Sequence, residues 1–145
     1  TMDGALMRTN AKLYGRFLET MSPKTLIKLP NYLDPDVHFK DPFNDVIGIT
    51  EVMNVFHHMF ENIENIRFRI NSLASSREIS LLQWTFSGEL KNRKFSIDGA
   101  SKVVFNNHGL VIEHIDFWDS GQNVYEKIPF FRLFITWLRR RFSAS

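Results

Sequence analysis

After Ile63 the hydrophobic period of this chain changes from 3.6 to 2, and that switch divides it into a helical first part and a strand-rich second part. Before the switch, Leu13, Tyr14, Phe17, Leu18 and Met21 share one helix face, predicting a helix from Asn10 to Met21. Ser22-Pro23 reads as an N-cap followed by proline at the first helical position, opening a second helix that turns Leu26 and Leu29 inward and is kept short by the interruption at Pro30. A third helix, Thr50 to Ile63, carries Val52, Val55, Phe56, Met59 and Ile63 on one stripe. Between them Val37, Phe39 and Asp41 alternate with His38 and Lys40 in a short strand that ends at Pro42. Beyond Ile63, Ile66/Phe68/Ile70, then Leu82/Trp84/Phe86, then Phe95/Ile97/Val103/Phe105 alternate with polar residues, and a last strand runs from Leu110 to Asp119. The links SSRE, KNRK and NNHG are short and polar, as in an antiparallel meander. This order of elements calls for an α+β fold, helices on one face of a curved, antiparallel-rich sheet, in one domain covering 1–145.

Composition narrows the chemistry. A chain of 145 residues buries about two-thirds of its unfolded surface, enough for one core. Eighteen Lys+Arg against 16 Asp+Glu leave a charge of +2, too weak a field for a nucleic-acid binder. With no cysteine there is no thiolate catalyst or thiolate metal site, which suits a reducing, cytoplasmic location. No apolar run is long enough to span a membrane, and TMDGALMRTN lacks the pattern of a signal peptide. There is no phosphate loop, nucleophile elbow or zinc helix, and the adjacent His57 and His58 point about 100° apart on a helix, so no metal and no cofactor are expected.

Three polar positions interrupt the apolar faces. Asp41 continues the Val37–Phe39 face: it either caps the turn that follows or enters the core as a carboxylate with a raised pKa, and the residues alone leave both open. Ser101 falls among Ile97, Val103 and Phe105, where a hydroxyl commonly bonds a carbonyl. In the last strand Ile112, His114, Asp116 and Trp118 share one face and Val111, Ile115 and Phe117 the other; periodicity makes the Val111 face the core and leaves His114 and Asp116 in solvent.

The segments YLDPDVHFKDPFNDVIG, WTFSGEL, FSIDGASKVVFNNHGLVIEHIDFWD and VYEKIPFF, in this order, resemble the nuclear transport factor 2-like superfamily, specifically its SnoaL-like, polyketide cyclase-like bacterial branch. The resemblance implies a cone whose sheet encloses an apolar pocket. Ketosteroid isomerases of the superfamily carry a catalytic base in the same D-P context as Asp41, and SnoaL-like cyclases use a late-strand acid/base residue for which Asp116 is the nearest match. It also implies that Trp118 lines the pocket and that His114 and Asp116 face inward, the reverse of the periodicity reading. The isomerases' second acid falls at Ser101 here, and epoxide hydrolases of this fold need an inward arginine that this chain does not offer.

The resulting expectation is an isomerase or cyclase acting on a hydrophobic, carbonyl-bearing small molecule. Asp41 or Asp116 removes a proton next to the carbonyl, Ser101, Tyr14 or His114 donates to the enolate oxygen, and Phe39, Trp84, Phe86 and Trp118 form the walls. The alternative is a non-catalytic module binding a lipid-like ligand or a protein partner. The resemblance further implies a homodimer through the outer sheet face. A C-terminal helix over 129–142 is apolar over most of its circumference and is read as docking on protein, with peripheral membrane contact as the other placement.

Overall fold

A computed structural model of the chain describes residues 3–118. The C-terminal helix expected over 129–142 lies outside the described residues. Helix α1 (Gly4–Glu19) begins earlier than the apolar spacing predicts, because Met7 and Ala11 extend the buried stripe that continues through Tyr14 and Leu18. Those residues recur at intervals of four, three and four, the repeat of one helix face. Leu13, about 100° away from Tyr14 around the axis, is 56% exposed rather than inward.

The second helix is a single 3₁₀ stretch, Leu26–Asn31, that still buries Leu26 and Leu29. Ser22 does not cap it. The Thr25 hydroxyl accepts the Ser22 backbone N–H at 2.8 Å, so the chain turns at Ser22–Thr25 before the helix begins. Helix α2 (Ile49–Asn62) matches its expected span to within a residue, with Val52, Val55 and Phe56 buried. Gly48, at φ +96°, makes the abrupt entry into it, a conformation disfavoured for residues with a side chain.

Six strands follow from the alternating segments and from one the sequence did not reveal: β1 (Leu33–Lys40), β2 (Asp45–Ile47), β3 (Glu64–Ser75), β4 (Ser80–Leu90), β5 (Arg93–Phe105) and β6 (Val111–Trp118). They form one open sheet in the order β2-β1-β6-β5-β4-β3. The meander β3-β4-β5-β6 is antiparallel, but β1 joins β6 in parallel, so the sheet is mixed. Lys91 and Asn92 turn β4 into β5 with positive φ at both, which gives a two-residue hairpin the right twist. At the next turn Asn106 Oδ1 accepts the N–H groups of His108 and Leu110, and Gly109 takes φ +78°. Helix α1 packs on β3 and β4, and α2 on β1, so the helices and the inner sheet face enclose the core.

One irregularity decides which way β6 faces. Phe105 pairs with Val111 but Val104 pairs with Glu113, so Ile112 is an extra residue, a β-bulge. The bulge brings both Val111 and His114 to the inner face, 0% and 3% exposed, three residues apart instead of two or four. Asp116 and Trp118 follow His114 inward, while Phe117 is exposed outside. The periodicity reading of β6 is thereby corrected: it assumed an unbroken strand, and the polar face is the inner one.

Candidate active site

The inner face and the helices surround a cavity of about 170 Å³, close in size to one that holds a benzene-sized molecule. Eight of its lining residues are aromatic, including Phe39, Trp84, Phe86 and Trp118 from the sequence reading. Its polar lining consists of Glu19, Asp41, Asn44, His114 and Asp116; among the described residues no lysine or arginine lines it.

Asp41 reaches the cavity from the turn after β1. Its backbone N–H donates to Asn44 O at 2.9 Å, and its Oδ1 accepts the N–H groups of Phe43 at 2.7 Å and Asn44 at 2.6 Å. The Asn44 side-chain amide donates to both carboxylate oxygens, at 3.1 and 3.0 Å. The two readings of Asp41 are thus both realised: it caps its turn, and the same carboxyl lines an apolar cavity. Burial pushes its pKa up to about 6; the Asn44 side-chain bond pulls the other way, the charge of Asp116 raises it further, and the Phe43 and Asn44 backbone bonds again lower it.

Asp116 is held by a relay that crosses the sheet. Trp84 Nε1–H donates to Ser101 Oγ at 2.8 Å, and the Ser101 hydroxyl donates to Asp116 Oδ1 at 2.5 Å. His114 Nε2 meets the same Oδ1 at 2.7 Å, and Tyr14 Oη meets His114 Nδ1 at 2.7 Å. Burial, reinforced by the charge of Asp116, pushes the Tyr14 pKa far up, so the phenol keeps its proton and donates it to Nδ1. The imidazole then carries its hydrogen on Nε2 and donates to Asp116, and every donor in the relay has an acceptor. The relay needs a flat approach: a Cβ on Gly99 would lie 2.4 Å from the Trp84 ring, so only glycine lets the indole cross β5 toward Ser101.

The sequence-derived site residues therefore separate into two layers. Asp41, His114 and Asp116 line the cavity together with Phe39, Trp84, Phe86 and Trp118. Tyr14 and Ser101, 2% and 0% exposed, stand behind the wall and touch His114 and Asp116 rather than the space. Asn44 was not singled out, although an Asp-x-x-Asn turn after a strand is a local signal for such a pairing. Phe43, Phe56, Phe60 and Phe68 were also missed as wall residues, being indistinguishable in the sequence from ordinary core. Asp41, Asp116 and Trp118 also border a second, open groove together with Lys40 and Phe117. No group of three His, Cys, Asp or Glu side chains among the described residues is placed to hold a metal.

The profile of the SnoaL-like domain family matches residues 14–114. The chain belongs to the SnoaL-like domain family. Solved structures share its fold. A nuclear transport factor 2-like protein of unknown function from Burkholderia pseudomallei superposes with a TM-score of 0.72 at 18% identity, covering 88% of this chain and 98% of that one. A protein assigned as a SnoaL-like polyketide cyclase from Shewanella denitrificans gives 0.70 at 16%, covering 86% and 97%. A LEH-like epoxide hydrolase from M. tuberculosis gives 0.70 at 9%, covering 94% of each chain. None of the curated proteins compared with the chain matches it. The SnoaL-like domain thus has the nuclear transport factor 2-like α+β architecture expected from the order of its elements. No helix among the described residues is long and apolar enough to cross a membrane.

Proposed function

We propose that the cavity takes an apolar small molecule and that Asp41 is a general base acting on a carbon acid, as in an isomerase or cyclase. The observation that supports this is a carboxyl fixed in the wall of an aromatic cavity and pushed up to about 6, where it is largely ionised at neutral pH yet basic enough to take a proton. Asp41 Oδ1 is engaged by its own turn, so Oδ2, which accepts only from Asn44, is the oxygen that takes the proton. In that step the C–H bond next to a carbonyl breaks, an O–H bond forms on Asp41, and the electron pair moves to the carbonyl oxygen. Returning the proton to another carbon completes an isomerisation. The test is deuterium exchange into 2-tetralone followed by NMR. The protein accelerates exchange and Asp41→Asn does not; equal exchange with and without the protein sinks the reading.

A second reading, a binding module without turnover, is favoured by one observation. The hydroxyls of Ser101 and Tyr14, the Trp84 N–H and the His114 Nε2–H all donate within the relay, so none is left to hold an enolate oxygen. A ligand that stays bound while its exchange rate is unchanged identifies this case. A second copy of the chain docking on the outer sheet face, where Leu81 and Phe117 are exposed, completes the proposal. Sedimentation of Phe117→Lys as a monomer, against a dimeric parent, checks it.

A further inference from the structure

The cavity has acceptors and no donors to spare. Asp116 Oδ1 receives both Ser101 and His114, and its Oδ2 has no hydrogen bond among the described residues. Asn44, 8% exposed and part of the cavity wall, directs its Nδ2 at the Asp41 carboxylate. Its Oδ1 is left buried with no hydrogen-bond partner. Turning that amide over would set its oxygen against the carboxylate oxygens, so the orientation is fixed while Asp41 is ionised. That oxygen is closed off from the cavity as well, so the acceptors left to meet a ligand are the carboxylates of Asp41 and Asp116.

The walls point the same way. Eight aromatic residues line the space, and Glu19, Asp41 and Asp116 are all acidic, with no lysine or arginine among the described lining residues to balance them. Aromatic faces attract cations, and two carboxylates in a water-poor space repel a third negative charge.

We infer that the cavity selects an apolar ligand bearing a protonated amine, its ammonium group set between Asp41 and Asp116 and its hydrocarbon body against the rings. This rests on the cavity being the ligand site of the proposed function, and it deepens that reading: the ligand itself brings the positive charge that the protein does not supply to a developing oxyanion.

Three probes of equal size separate the possibilities: benzylamine, benzyl alcohol and benzoate, titrated calorimetrically into the full chain at pH 7.5. Benzylamine binds at least about tenfold tighter than benzyl alcohol, and benzoate is weakest. Benzyl alcohol or benzoate matching benzylamine overturns the inference, as does failure of all three to bind. In Asp116→Asn the advantage of benzylamine shrinks while benzyl alcohol is unchanged; equal weakening of both counts against a charge-selective site. Should that variant not fold, the ranking by the parent chain decides. Charge ranking needs no turnover, so a preserved ranking with no tetralone exchange removes the catalytic base and leaves the ligand class standing. Exchange with no preference for the amine does the reverse.

Discussion

The turn after β1 and the middle of β6 each deliver a carboxylate to the same cavity, and they hold it in different ways. Asp41 is fixed by partners no more than three residues away, two of them backbone N–H groups that would be in place whenever the turn forms. Asp116 depends on Ser101, fifteen residues earlier, which depends on Trp84, and on His114, whose tautomer is set by Tyr14 one hundred residues distant. A group held locally can change its protonation without disturbing the fold. A group held by a relay from α1, β4 and β5 transmits any change to all of them.

This contrast is open to experiment. Asp41→Asn keeps an acceptor oxygen for the turn and removes the base, so tetralone exchange falls by about 10²- to 10⁴-fold with little loss of stability. Comparable unfolding of the variant in mild urea would break the contrast. Ser101→Ala strips a donor from Asp116 and an acceptor from the buried Trp84 N–H, costing about 1–3 kcal/mol in chemical denaturation. Tyr14→Phe leaves His114 Nδ1 without its donor and costs about 1 kcal/mol, with the imidazole ¹⁵N shifts reporting a mixture of tautomers.

The smallest effect is electrostatic. Removing the charge in Asp116→Asn lowers the Asp41 pKa from about 6, read by ¹³C NMR of the carboxyl. The sign for stability follows from the same shift. Asp41 is raised above its ordinary 3.8 in the folded state, so between those values the native protein binds the extra proton. Its contribution favours folding at low pH and declines as pH rises from about 4 to about 6. Denaturation midpoints over that interval, compared between the parent and Asp41→Asn, isolate it.

What was readable in the sequence was what depends on neighbours along the chain. The α2 stripe of Val52, Val55 and Phe56 and the inward Val37 and Phe39 follow from spacing alone, and both appear as expected. The Asp41 turn is likewise local. The inward orientation of His114 and Asp116 was not readable from periodicity, because polar residues are stable inside only when distant partners satisfy them, and Tyr14 and Ser101 are brought there by the fold. The resemblance to relatives supplied that orientation; the parallel pairing of β1 with β6, which lies across the whole chain, went unforeseen.

The extra residue at Ile112 sets the identity of the hollow. Were the same residues paired without the bulge, in unbroken alternation from Val111, the imidazole and the carboxylate would emerge on the outside, and Ile115 and Phe117 would turn hydrocarbon into the interior. A polar-floored chamber and a hydrocarbon-filled one thus differ by the placement of one unpaired residue, whereas deleting Ile112 would leave His114 two positions after Val111 and still inward.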